Sequence, residues 1–284
     1  MTDTLHIASL HIHPIKSCAG IAVNEAQLID TGFEYDREWM VVDADGEFLS
    51  QRELPRMALV RPTLRSDDLV LRAPGMLALH LRLDAVEGDC RVRVHADEVA
   101  AFDMGDLAAQ WFSDFLGTRA RLARFDPEQR RLSDPRWTGA LEAENAFADA
   151  FPLLVASTAS LDELNRRLAA AGHDAVTIER FRPNVVLGGL VDAHGEDFID
   201  TLQIDAADGP VQLKLVKPCT RCTIPDVDPL TAQTGHAVSD ALLAYRADPR
   251  LGGSLTFGQN AVIASGRGHR LRAGDRVEAT LAFA

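Results

Sequence analysis

A two-residue repeat of apolar and polar positions runs through 5–12, 22–29, 38–42 and 78–83, and each stretch predicts a half-buried β-strand. DADG at 43–46 supplies a turn after the third of these. Asp67 and Asp68 split VRPTLR from LVLRA as a hairpin would, and CRVRV at 90–94 continues the pattern. The period then changes. DLAAQWFSDFLG, from 106, places Leu107, Trp111, Phe112 and Phe115 on one helical face and ends at Gly117, a fitting C-cap. The polar stretch 124–147 holds two prolines and no period, so it predicts a linker or an exposed loop.

The second half mixes both periods. FPLLVAS at 151–157 predicts a buried strand, and Ser160 with Glu163 forms a capping box for a helix running to Gly172. NVVLGGL at 184–190, LQIDA at 202–206 and VQLKLV at 211–216 predict further strands. A helix over 239–247 and the strands NAVIAS and RVEATLAF complete the pattern. The expected class is α+β and β-rich: a barrel-like N-terminal domain over 1–122, then a mixed domain with flanking helices over 123–284.

At 284 residues, 46% hydrophobic and 25% charged, the chain has the profile of a soluble globular protein. Its 29 basic and 42 acidic residues leave a formal charge of −13, which argues against broad binding to nucleic acid. Any bound anion must be held by cations clustered against that background. The N-terminus lacks a signal-peptide pattern and no segment approaches the roughly 20 apolar residues of a membrane span. Cys18, Cys90, Cys219 and Cys222 are too few and irregular for a disulfide framework, so a cytoplasmic location with reduced thiols is expected.

The chemistry concentrates in KPCTRCTIPDVDP at 217–229. A Cys-x-x-Cys pair can clamp zinc, but neither of the other two cysteines is paired and His236 has no partner histidine at ligand spacing. It can form a redox dithiol, although Ile224 and Pro225 deny it a clean helix start. Two small core cysteines beside a turn are the ordinary alternative. Arg221 between them favours a thiolate metal ligand beside an anionic cofactor. Asp226 and Asp228, next to proline in a loop, read more readily as turn formers than as proton donors.

RPNVVLGG, KPCTRCTIPDVDP and FGQNAVI, together with HPIKSCAG and YDREWMVVDADGEFLSQRE nearer the N-terminus, resemble the MOSC proteins that carry an N-terminal MOSC β-barrel domain. Within that group the chain is similar to the amidoxime-reducing components and their bacterial YcbX-like relatives. The resemblance implies a molybdenum cofactor, Mo-molybdopterin, with Cys222 as metal ligand and catalytic residue and Cys219 as a neighbour. It further implies that Lys16, Ser17, Arg37, Ser157, Thr158, Arg182, Asn184 and Arg221 hold the pterin and its phosphate, between the two domains. Ser157 is also a candidate helix N-cap.

The activity so implied is reduction of N-hydroxylated compounds such as amidoximes and hydroxylaminopurines. No cysteine run for an iron–sulfur cluster is present. No ferredoxin-like domain of the kind found in some bacterial relatives is expected, so a separate donor protein is: a flavin reductase, or a cytochrome b5-like or ferredoxin-like protein. An N-terminal anchor like that of the mitochondrial members is not expected either, in keeping with a soluble location. The rival expectation is a cofactor-binding or sulfur-carrier module without reductase turnover.

Overall fold

The computed structural model describes residues 4–282. Phe283, the last residue of the final expected strand, lies outside them. The period-two stretches become strands, and the largest sheet among the described residues has nine. In spatial order its path is Val277–Leu281, Ile199–Ala206, Gly209–Thr220, Ser254–Ser265, Leu153–Ser157, Val185–Gly188, His6–Ile12 and Ile21–Val23, with Ala247–Asp248 branching from Ser254–Ser265. Neighbours are antiparallel except Leu153–Ser157 and Val185–Gly188, whose parallel pairing is bridged by the helix Thr158–Ala170. The sheet curls around Leu10, Leu28, Val155, Leu187, Leu202 and Ile263, all 2% exposed or less. Val277–Leu281 at one end approaches His6–Ile12, next to the other end, through the single bridge from His6 to Arg276 and not along a continuous ladder, so the barrel-like sheet stays open.

The pairing crosses the boundary expected at 122. His6–Ile12 lies between Val185–Gly188 and Ile21–Val23, so the first strand of the chain completes the sheet of the second half. Glu25–Ile29 pairs with Gly32–Phe33 and with Arg270–Arg272 of the second half. The remaining N-terminal strands form a four-stranded sheet, Trp39–Val42, Arg121–Phe125, Asp97–Asp103 and Gly88–Val94, and a three-stranded one, Arg61–Leu64, Asp68–Arg72 and Leu79–Arg82. The helix Asp106–Leu116 packs Trp111, Phe112 and Phe115 against Trp39, Val41 and Leu71.

Four local expectations need correction. Leu107 is 71% exposed, because the buried stripe runs through Ala108, Trp111, Phe112 and Phe115, an i, i+3, i+4, i+7 set. The second helix is capped by Ser157, whose hydroxyl accepts from Ser160 N–H, while Glu163 turns to Arg166 and Arg167. The last helix is shorter than 239–247: it spans Ala237–Leu243, where Asp226 accepts from the N–H groups of Val238 and Ser239. Ala247–Asp248 then pairs as a short strand. Finally, 124–147 is not an exposed linker. It begins in the strand Arg121–Phe125, and Ala143, Asn145, Ala146 and Phe147 are buried, with Phe147 edge-on to Phe125 at 5.4 Å.

Among the described residues no helix is long and apolar enough to cross a membrane.

Candidate functional site

Both halves contribute to one cleft of about 320 Å³. Its first wall is HPIKS, which follows the strand His6–Ile12. Lys16 N–H donates to Trp39 C=O, and Arg37 N–H donates to His13 C=O, so Lys16 and Arg37 reach the cleft from two adjoining stretches. Asp36 clamps that junction: its carboxylate accepts from His13 N–H at 2.7 Å and from the Arg37 guanidinium.

The opposite wall is RPN, 182–184. Arg37 Nη2 donates to Arg182 C=O at 3.0 Å, and Nη1 donates to Asn184 Oδ1 at 3.1 Å. That same Oδ1 accepts from Leu154 N–H at 3.1 Å, and Asn184 Nδ2 donates to His11 C=O at 3.2 Å. Asn184 lines the cleft, yet its amide is committed to bracing three segments. Arg182 is differently placed. It donates through Nη1 to Cys18 C=O, and its buried Nη2 has no partner. Burial, then the neighbouring Arg37, pulls the Arg182 guanidinium down to about 10. Burial and the same two arginines hold His13 well below its usual range, so it is neutral beside them.

Lys16 Nζ donates to Phe147 C=O at 2.9 Å and to the Asp149 carboxylate. Lys16 holds Asp149 well below the ordinary carboxylate range, helped by His95, whose Nε2 lies 3.2 Å from Asp149 Oδ1. The segment carrying Asp149 is pinned by Arg131, which donates to the carbonyls of Ala146, Ala148 and Asp149 and pairs with Asp97 at 2.7 Å.

The third wall is the cysteine segment. The strand Gly209–Thr220 delivers Cys219, and Cys222 follows in an exposed position at the cleft. Arg221 Nη1 donates to Cys219 Sγ at 2.9 Å, and Nη2 to Phe181 C=O at 2.7 Å. Of the two cysteines that flank it in sequence, the arginine therefore accompanies Cys219 and not Cys222. Arg221 Nε is buried without a partner. Among the described residues no group of three or more His, Cys, Asp or Glu side chains is placed to hold a metal ion.

Backbone strain gathers at this place. Among the described residues seven non-glycine residues have positive φ, and Ser17, Arg37, His95 and Arg182 of these line the cleft. Such conformations persist where the surrounding structure over-determines them, which is common at ligand sites.

Of the expected site residues, Lys16, Ser17, Arg37, Arg182, Asn184, Arg221 and Cys222 converge here. Ser157 and Thr158 do not line it. The Ser157 hydroxyl is fully buried, donating to Glu196 at 2.8 Å and capping the helix, and Thr158 faces a separate surface depression. Asp226 caps the last helix, and Asp228 accepts from the N–H groups of Leu230 and Thr231, as a turn former does. Arg52, His95, Asp149 and Lys217 also line the cleft and were not singled out from sequence. Arg52 belongs to SQRE and Lys217 opens KPC, so proximity to recognised motifs was the available signal.

The chain matches the MOSC N-terminal beta barrel domain over residues 4–119 and the MOSC domain over 142–278. It is 34% identical over 272 residues to mitochondrial amidoxime-reducing component 1 of Homo sapiens, covering 90% of this chain and 78% of that protein. The chain belongs to the MOSC family. This MOSC protein is also 37% identical over 234 residues to mitochondrial amidoxime-reducing component 1 of Mus musculus, a match that spans 79% of the chain and 66% of the mouse protein. Molybdenum cofactor sulfurase of Homo sapiens is 29% identical over 258 residues, 84% of the chain but 28% of that larger protein. Lys16, Arg37 and His95 of the cleft fall in the first matched domain, and Arg182, Arg221 and Cys222 in the second.

Proposed function

We propose that this MOSC protein holds a molybdenum cofactor in the cleft and reduces N-hydroxylated compounds, amidoximes and hydroxylaminopurines among them, with electrons from a separate donor protein. The observation that carries the proposal is that Lys16, Arg37, Arg182 and Arg221 line one cleft together with the exposed Cys222 in a chain of net charge −13. The residues fit such a group. Arg182 Nη2 and Arg221 Nε are buried donors without acceptors, which a phosphate-bearing pterin satisfies. Cys222 offers one soft thiolate, and since among the described residues no group of three or more His, Cys, Asp or Glu side chains is placed to hold a metal, the remaining donors would come from the organic part of the cofactor.

When bound, the cofactor supplies two-electron redox chemistry. The chain's residues bind and orient it: Lys16, Arg182 and Arg221 by charge, Cys222 as ligand, and Asn184 by fixing Arg37. An amidoxime takes up two electrons and two protons to give an amidine and water. The donor is a flavin reductase, a cytochrome b5-like or a ferredoxin-like protein.

The names of the relatives support both a reductase and a cofactor-handling module, and one experiment separates these. The purified, cofactor-loaded protein is given benzamidoxime and a chemical reductant, and the oxidised pterin is quantified by fluorescence. Benzamidine formation in repeated turnovers supports the reductase. Bound pterin without turnover supports a cofactor-binding or sulfur-carrier module.

A further inference from the structure

Two cations at the cleft have little to do within the protein. Lys16, Arg37 and Arg182 are engaged with carboxylates or carbonyls in its depth. Lys217 forms no ion pair among the described residues; its Nζ lies 5.0 Å from the centre of the Trp137 ring. Asp134, beside it, is paired with Arg136. Arg52 is exposed, donates through Nε to Ser50 Oγ at 3.2 Å, forms a long ion pair with the exposed Glu53 at 3.6 Å, and lies 5.8 Å from the Phe48 ring centre. In a chain of net charge −13, this is a local reversal of sign.

The same two cations flank flat apolar surface. Phe48 lines the cleft, and Trp137, 36% exposed, lies next to Lys217 but outside the residues that line it. Asp149 is the sole carboxylate lining the cleft among the described residues; its side chain is exposed, but its charge is already paired with Lys16 and its Oδ1 is shared by Lys16 and His95. A cationic substrate therefore finds no free counter-charge, whereas an anionic one meets two cations beside aromatic faces. We infer that the cleft selects planar N-hydroxylated substrates bearing an anionic group, with Lys217 and Arg52 as the residues that set this preference. The inference rests on the reductase reading above and names its substrate class.

The test compares benzamidoxime with 4-carboxybenzamidoxime, which differ by one negative charge remote from the N-hydroxyl group. The readout is the ratio of their kcat/KM values, anionic over neutral, in which differences in cofactor loading cancel. The wild-type ratio is expected above about five, a typical effect for one partly solvated charge pair. K217A and R52A each lower it severalfold, K217E takes it below one, and K217R restores it. Raising ionic strength from about 0.02 to about 0.2 M compresses it.

A second readout needs no turnover. Trp39 and Trp111 are buried, so fluorescence quenching on titration without reductant reports chiefly on Trp137. The anionic compound is expected to quench at severalfold lower concentration, and K217E to abolish that advantage. If neither compound is reduced by protein carrying stoichiometric molybdenum, the reductase reading fails and the titration alone decides the selectivity. Equal binding of both compounds, or a wild-type ratio near one that K217E leaves unchanged, overturns the inference.

Discussion

Replacing Asn184 by alanine tests whether the cleft is held together by one buried amide. Asn184 is 1% exposed, and its side chain joins Arg37, Leu154 and His11 at 3.1–3.2 Å. Truncation removes the acceptor for Leu154 N–H and the donor for His11 C=O, and a buried group left unpaired costs about 1–3 kcal/mol. Arg37 keeps Asp36 and the Arg182 carbonyl, so its share is smaller. The sum is about 3 kcal/mol, and for a chain of this size that lowers Tm by roughly 6 °C. N184D is the informative control. It keeps the acceptor for Leu154 and Arg37 but turns a carboxylate oxygen toward His11 C=O, so a loss of about 1–2 kcal/mol is expected. Urea unfolding followed by tryptophan fluorescence measures both. A loss below about 1 kcal/mol for N184A, or N184D less stable than N184A, refutes the bracing role.

Burial pushes the His194 imidazole down to about 4, and neither ring nitrogen has a partner. The unfolded chain, titrating near 6.5, takes up the proton first, so this contribution to stability is complete above about pH 6.5 and is lost as pH falls toward about 4. H194N is expected to flatten the stability profile across that window; an unchanged acid limb counts against the assignment. Gly258 has φ +74°, and a Cβ there meets the Val155 carbonyl oxygen at 2.6 Å. G258A is therefore expected to destabilise by about 2–4 kcal/mol in the same unfolding assay, from strain combined with overpacking.

The fold was legible where one face of an element is buried. The alternation in 5–12 and 202–206 and the stripe ending at Gly117 each survive as elements, because burial on one side imposes a period. Tertiary partners were not legible. Glu163 completes a capping box in sequence, but Ser157 is the cap and Glu196, 39 residues further on, takes its hydroxyl. The segment 124–147 looked like a linker because its buried contacts are long-range: Phe147 packs on Phe125 and offers its carbonyl to Lys16.

At the cleft, Lys16, Arg37, Arg182 and Cys222 were identified through family motifs, and the structure gathers them. Asp149 and His95 escaped because neither belongs to a motif, and their meeting depends on the Arg131 brace and on a left-handed residue at 95. The pairing of Arg221 with Cys219 was hidden for another reason. Adjacent positions in a chain leaving a strand point in different directions, so sequence proximity to Cys222 says nothing about which sulfur the guanidinium meets.

The asymmetry of the two cysteines is the central claim, and molybdenum content measures it most directly. Wild type, C219A and C222A are produced in parallel under conditions that load the cofactor, and metal per chain is determined by mass spectrometry. Wild type and C219A are expected to retain molybdenum near one atom per chain, with C222A nearly empty. Stoichiometric molybdenum in C222A, or its loss only in C219A, contradicts the assignment of Cys222 as the ligand.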